Sequence, residues 1–285
     1  MLIKSLVFIE KIYKMKKIVF LFVIVSLFSC TENMPVVPDA PIINTARKVM
    51  VEEFTGVACV GCPSGSAELE LLLNQFGSNL VVVSIHTSDF GTPFPTSLYD
   101  FRTSEAEDIA DYLGRPAAYP SAVVNRKDFD GGAYFLQSDK TLWSGYISQE
   151  LEEDPKVTVD ITKEFNETTR ELEVTVRGVA KEEIIGDLRL TIMITENNII
   201  DAQDDEINGF TQDYKHKHVF RTTMTQPTGD ALITNMSVDD AYDKTYTMTL
   251  SEDWRTDNCE IIAFVNLVNG QQKEILQVES AYVEE

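Results

Sequence analysis

Positive charge is scarce in this chain. Its 285 residues carry 24 Lys and Arg against 46 Asp and Glu, a net charge of −22. Residues 1–29 hold five of those cations and one acid, so the remainder has 19 against 45, a net of −26. Such a surface repels phosphate backbones and anionic headgroups, which excludes nucleic acid as a partner. The acids are spread along the chain and read as a solvated surface, not as one binding site. Cysteine is also scarce. Four cysteines do not make a disulfide framework, and an apolar content of 44 % supplies a core without one. Long apolar runs are missing too. The one apolar stretch near the start, residues 18–28, is shorter than the roughly 20 residues a stable span requires. EF-hand spacing is absent: residues 201–209, with Asp201, Asp204, Asp205 and Glu206, read as an acidic solvated loop.

What is present begins with an address. Lys16 and Lys17 precede residues 18–28, and Leu27-Phe28-Ser29-Cys30 follows. A basic start, a short apolar core and a small residue before the cut describe a secretory signal. Leu-x-small-Cys resembles the bacterial lipobox, which implies removal of residues 1–29 and lipidation of Cys30. The alternative is an uncleaved anchor with an incidental cysteine. Residues 30–45, with Pro35, Pro38 and Pro41, form an aperiodic tether. The folded part is expected to hang from a membrane by its N-terminal lipid, outside the cytoplasm, where disulfides persist. There Cys59 and Cys62 pair, and Cys259 is left as a buried, inert thiol.

The chain is organised around residues 53–63, Glu-Phe-Thr-Gly-Val-Ala-Cys-Val-Gly-Cys-Pro. An apolar strand leads in, and Pro63 suits the first helical position, where no N–H is needed. If Cys59 sits just before the helix, the free amides of the N-terminus stabilise its thiolate. A helix is expected over 63–76 with Gly77 closing it, and strands over 47–54 and 80–86. A short helix capped by Ser104 and Glu107 and ended by Gly114 follows. Then come a strand over 119–125 entered through Pro120, a turn at 130–132 with a short strand after it, and a helix over 138–151. Alternating strands and helices imply a partly parallel sheet covered on both faces.

This segment resembles thioredoxin-like proteins. Glu53 and Phe54 stand six and five residues before Cys59, as the acid and aromatic do in that family. Pro120 matches the cis-proline that faces the cysteines. The resemblance implies that Cys59 attacks as the exposed sulfur and Cys62 resolves the mixed disulfide. Glu53, buried behind the pair, would take the Cys62 proton, while Pro120 and the Tyr119 backbone hold a substrate chain. His86, at the end of its strand, is expected beside the cysteine loop, either moving a proton or simply hydrogen-bonded. The chain departs from that family in having Val57-Ala58 where a tryptophan precedes the cysteines, and Val60-Gly61 between them.

After the charged linker 152–155, the pattern becomes strand after strand through residue 285, which indicates a β-sandwich of immunoglobulin-like type. The fold class is thus an α/β thioredoxin-like domain, 46–152, followed by an all-β immunoglobulin-like sandwich, 155–285. His216 and His218, placed on one face of a strand, would complete a zinc set with the cysteine pair on paper; Lys215, Lys217 and the separation of the halves argue against it. No cofactor or metal is expected.

The lipobox, the Cys-x-x-Cys-Pro segment and the closing stretch from Trp254 through Cys259 to Gln277 resemble the Omp28-related outer membrane lipoproteins of Bacteroidetes. That resemblance implies an outer-membrane location. It leaves two functions open: thiol–disulfide exchange through Cys59 and Cys62, or surface binding and adhesion with the pair as a structural staple. The protein substrate or binding partner is not legible.

Overall fold

The computed structural model describes residues 46–131 and 134–284. The secretory signal, Cys30 and the tether lie outside them. The described chain is mostly β, with a few helices and mixed sheets. Its first part contains β1 (Val49–Thr55), α1 (Cys62–Phe76), β2 (Leu80–His86), α2 (Ser104–Leu113), β3 (Ser121–Val124) and α3 (Trp143–Leu151). Its second contains β4 (Asp160–Asn166), β5 (Glu171–Val179), β6 (Ile184–Glu196), β7 (Ile199–Gln203) and β8 (Thr211–His216). β9 (Val219–Thr223), β10 (Asp230–Met236), β11 (Ala241–Thr249), β12 (Cys259–Val268) and β13 (Ile275–Tyr282) complete it.

One mixed sheet runs through both parts in the order β13-β12-β6-β9-β2-β1-β3, with β10 also paired to β6. β1 and β2 are parallel and buried at every position, as strands covered on both faces must be. The parts join where β2 meets β9: Ser84 is opposite Val219, and the Ser84 N–H donates to the His218 carbonyl at 2.7 Å. The sheet therefore continues past the acidic linker at 152–155.

Alternation along the strands divides the core. On one face, Met50, Phe54 and Ile85 pack with Ile109 and Leu113 of α2 and with Met193, Phe220 and Phe264 from the second part. On the other face, Val49, Val51 and Val82 meet Leu69 and Leu72 of α1 and Trp143 and Ile147 of α3. Farther along, the second face is covered by a three-stranded sheet, β11-β5-β4. Its Leu172, Val174 and Val176 pack on Ile192, Ile194, Ile261 and Ala263. The β-rich part thus has two facing sheets, the larger of which is shared with the first part.

Local chemistry explains most boundaries. α1 starts at Cys62 with Pro63 in its first turn. α2 is capped one residue earlier than the sequence suggested: Thr103, not Ser104, accepts the Ala106 N–H at 3.0 Å. Gly114 ends α2 at φ 100°, a conformation that favours glycine. The short strand expected after residue 132 is reduced to a bridge between Ala122 and Gln137. The acidic segment 201–209 is also no simple loop: with its flanks it forms the β7–β8 hairpin.

Candidate functional site

The cysteine loop is shaped by backbone contacts. Gly56 lies so close to Phe90 that an added Cβ would come within 2.4 Å of the Phe90 carbonyl carbon, so no side chain fits. The Ala58 N–H donates to the Phe90 carbonyl at 2.9 Å, and the Cys59 N–H returns to the Gly56 carbonyl at 3.1 Å. Cys59 and Cys62 form a disulfide across the start of α1, with Cα atoms 5.3 Å apart. Gly61 provides no side-chain cap and the first turn carries no acid. The first-turn amides are satisfied within the loop: the Cys62 N–H donates to the Cys59 carbonyl at 3.1 Å, the Ser64 N–H to the Gly61 carbonyl at 3.2 Å, and Pro63 has none.

Two residues converge on the first turn of α1 from outside. The Tyr119–Pro120 bond is cis, and a Cβ on Gly65 would stand 2.8 Å from both Pro120 Cγ and Glu53 Oε1. Pro120 and Glu53 thus both pack on the helical turn that carries Cys62. The Tyr119 ring packs on Phe90, with centroids 5.0 Å apart. Its hydroxyl lies 2.5 Å from Thr87 Oγ1 and donates to Asp89 at 2.9 Å.

Glu53 is fully buried and has hydroxyl donors in place of a cation. Ser84 Oγ donates to Oε2 at 3.0 Å, and Ser66 Oγ lies 3.3 Å from both oxygens. Burial raises its pKa to about 7; the Ser84 and Ser66 bonds and, least, the charge of Lys140 oppose the rise. Glu53 and Cys62 line one cavity of about 250 Å³, between α1, β2 and the β7–β8 hairpin.

His86 reaches the same cavity and is kept neutral. Burial chiefly, then the neighbouring His216, holds its pKa near 3, against the Ser84 carbonyl that accepts from its ring. Its Nδ1 has no partner, and its ring packs against Phe101 and His216. His216 is likewise held down to about 4, chiefly by burial. His218 does not share a strand face with it: it lies beyond β8 at φ 53° and pairs with Glu70 at 3.4 Å. The argument from separated halves also fails, because His216, His218 and Cys62 border the same cavity. Among the described residues no group of three or more His, Cys, Asp or Glu is disposed to hold a metal. Cys259 is a buried free thiol, its pKa pushed up to about 12 mainly by burial.

One expectation reverses. Cys59, read as the exposed sulfur, is only 4 % exposed, and Cys62 1 %. The β7–β8 hairpin clamps their loop. Gln203 Nε2 donates to the carbonyls of Gly56 and Cys59, both at 3.2 Å. The Asp204 N–H bonds the Val57 carbonyl at 2.8 Å, and the Glu206 N–H bonds the Val60 carbonyl at 2.9 Å. The hairpin is fastened in turn by Asp201, whose carboxylate accepts the Leu98 and Tyr99 N–H groups. Gln203, Ser66, Ser84 and Tyr214 were missed from sequence; only the alternation of Gln212, Tyr214 and His216 with charged residues hinted at a strand there.

Among solved structures, HBP35 of Porphyromonas gingivalis is similar over 85 % of this chain and 76 % of its own, with TM-score 0.67 and 18 % identity. A protein of Agrobacterium tumefaciens is similar over 84 % of this chain and 96 % of its own, with TM-score 0.51 and 15 % identity. A domain of the outer membrane lipoprotein Omp28 from Porphyromonas gingivalis aligns with 45 % of this chain and 88 % of its own, with TM-score 0.31 and 18 % identity. No curated protein matches the chain. None of the described helices is long and apolar enough to cross a membrane. The model of the outer membrane protein Omp28 family matches residues 110–285. The chain therefore belongs to the Omp28 family, and its place is the bacterial outer membrane.

Proposed function

We propose that this protein is a lipid-anchored, extracytoplasmic thiol–disulfide exchange protein. In this reading residues 46–152 are a thioredoxin-like module, and residues 155–285 are an immunoglobulin-like sandwich fused to it through the shared sheet. A secretory signal over 1–29, lipidation of Cys30 and a tether through residue 45 hang it from the membrane. The observation that carries the reading is the buried carboxyl of Glu53, with its pKa raised to about 7, on the cavity that Cys62 lines. A carboxyl so tuned accepts a thiol proton near neutral pH. Cys59 attacks a client disulfide, Cys62 resolves the mixed disulfide, and Pro120 with the Tyr119 backbone holds the client chain.

Reduction of insulin by dithiothreitol, with the full chain as catalyst, tests this. Turnover is expected with the wild type and its loss with Cys59→Ser. No turnover, or equal turnover by the variant, sinks the proposal.

One observation favours a second reading. Both cysteines are buried and the hairpin is bonded to their loop, which suits a structural staple in a binding or adhesive surface protein. Retained binding and unaltered cell-surface display in Cys59→Ser, with no exchange in the wild type, would favour it.

A further inference from the structure

We infer that the β7–β8 hairpin and the loops it clamps form a docking surface for a polypeptide segment that carries apolar side chains among lysines or arginines. Exposed apolar side chains collect there. Of the thirteen large ones exposed among the described residues, six lie on three stretches: Val60 between the cysteines, Phe90 and Leu98 on the loop after β2, and Ile200, Ile207 and Phe210 on the hairpin. They are 41 to 88 % exposed. The stretches are tied to one another. The Glu206 N–H bond to the Val60 carbonyl holds the hairpin tip against the cysteine loop, and the Ala58 N–H bond to the Phe90 carbonyl holds that loop against the one after β2. Gln212 Nε2 donates to the Thr96 carbonyl at 3.1 Å, and the Phe94 and Phe210 rings meet edge to face with centroids 5.0 Å apart. The exposed side chains therefore belong to one surface around the disulfide, and such a collection marks an interaction site.

Charge selects the occupant. Residues 204–213 hold Asp204, Asp205, Glu206 and Asp213 and no lysine or arginine. Among the described residues none of these four acids is in an ion pair. Lys217 is taken by Glu70, Lys215 lines the cavity, and Asp89 and Asp100 of the neighbouring loop have Arg115 and Arg102. An apolar surface edged by uncompensated acids fits a partner with apolar side chains and positive charge. A second copy of this chain in a two-fold contact would bring the same four acids against themselves, and an anionic lipid surface is repelled. The surface includes the residue between the cysteines, so a bound segment lies across the disulfide. That segment is the client in the exchange reading and the bound partner in the other, so the inference stands apart from turnover.

The test is binding to the full chain, by fluorescence anisotropy, of a short labelled peptide without cysteine in which leucine and phenylalanine alternate with lysine. The same peptide with glutamate for lysine runs beside it. The lysine peptide is expected to bind saturably and to weaken as salt is raised. The glutamate peptide is expected to bind about tenfold more weakly or worse. The double variant Ile207→Ser/Phe210→Ser is expected to lose about tenfold in affinity for the lysine peptide. Both side chains are exposed, and urea unfolding checks that the variant keeps its fold. Leu98→Ser, on the other loop, is expected to weaken binding in the same direction and serves if the double variant unfolds. Ile233→Ser, at an exposed position of β10, is the control and is expected to bind as the wild type does. No saturable binding, equal binding of the two peptides, unchanged affinity in the surface variants, or an equal loss in Ile233→Ser overturns the surface. Self-association that Ile207→Ser/Phe210→Ser abolishes, without peptide binding, assigns the face to a second copy and also overturns it. Insulin reduction is scored on the same preparations. Turnover without peptide binding overturns the surface and leaves the exchange reading standing; peptide binding without turnover does the reverse.

Discussion

Glu52 and Glu53 are consecutive on β1 and both are buried, yet the two faces of the strand give them opposite settings. Glu52 points with Met50 and Phe54 to the α2 side. There Arg126 meets it with two bonds, 2.8 and 2.6 Å, and lies over the Phe264 ring at 4.8 Å. Glu53 points to the α1 side and finds only serine hydroxyls. A bidentate guanidinium fixes a carboxylate in place. Hydroxyl donors satisfy a carboxyl without supplying charge, so burial raises its pKa and leaves it free to exchange a proton. The same strand thus holds one acid in an ion pair and one among hydroxyls.

Breaking the ion pair has the larger expected effect. Glu52→Gln leaves the Arg126 guanidinium buried without its counter-charge, and stability is expected to fall by about 3–5 kcal/mol. Urea unfolding at pH 7 measures this; a change under about 1 kcal/mol would remove the structural assignment.

Glu53→Gln sharpens the contrast by changing stability in the other direction. The Glu53 pKa rises from 4.5 to about 7 on folding. The stability linked to its proton is full below the unfolded value of 4.5, falls as pH rises, and is gone above about 7. Above that pH the ionised carboxylate destabilises the fold by roughly 3 kcal/mol, which the glutamine variant escapes. Urea unfolding at pH 4.5 and pH 8 is expected to show little difference at the first and a more stable variant at the second. A variant less stable at pH 8 would show that the ionised Glu53 carboxylate stabilises the fold.

Much of the first part was legible in the sequence, because its signals are local. Pro63, Gly114 and the apolar run before Cys59 each act on their own stretch of backbone. The places of Glu53 behind the cysteines and Pro120 opposite them were expectations that came only from the resemblance to thioredoxin-like proteins. Covering of the disulfide was not legible. It depends on a hairpin about 140 residues after Cys59, made of residues so polar that 201–209 reads as solvated loop. Gln203 and Asp201 appear ordinary in sequence and act only because β9 joins β2 and brings their hairpin over the loop. Long-range sheet pairing, not composition, also decided that both parts share one core.

The central claim is that Cys59–Cys62 is an exchange couple and not a staple. The direct measurement is the midpoint potential of the pair in the full chain, by equilibration against glutathione and dithiothreitol couples. An exchange couple predicts a value between about −120 and −270 mV, and a value below about −300 mV would contradict it.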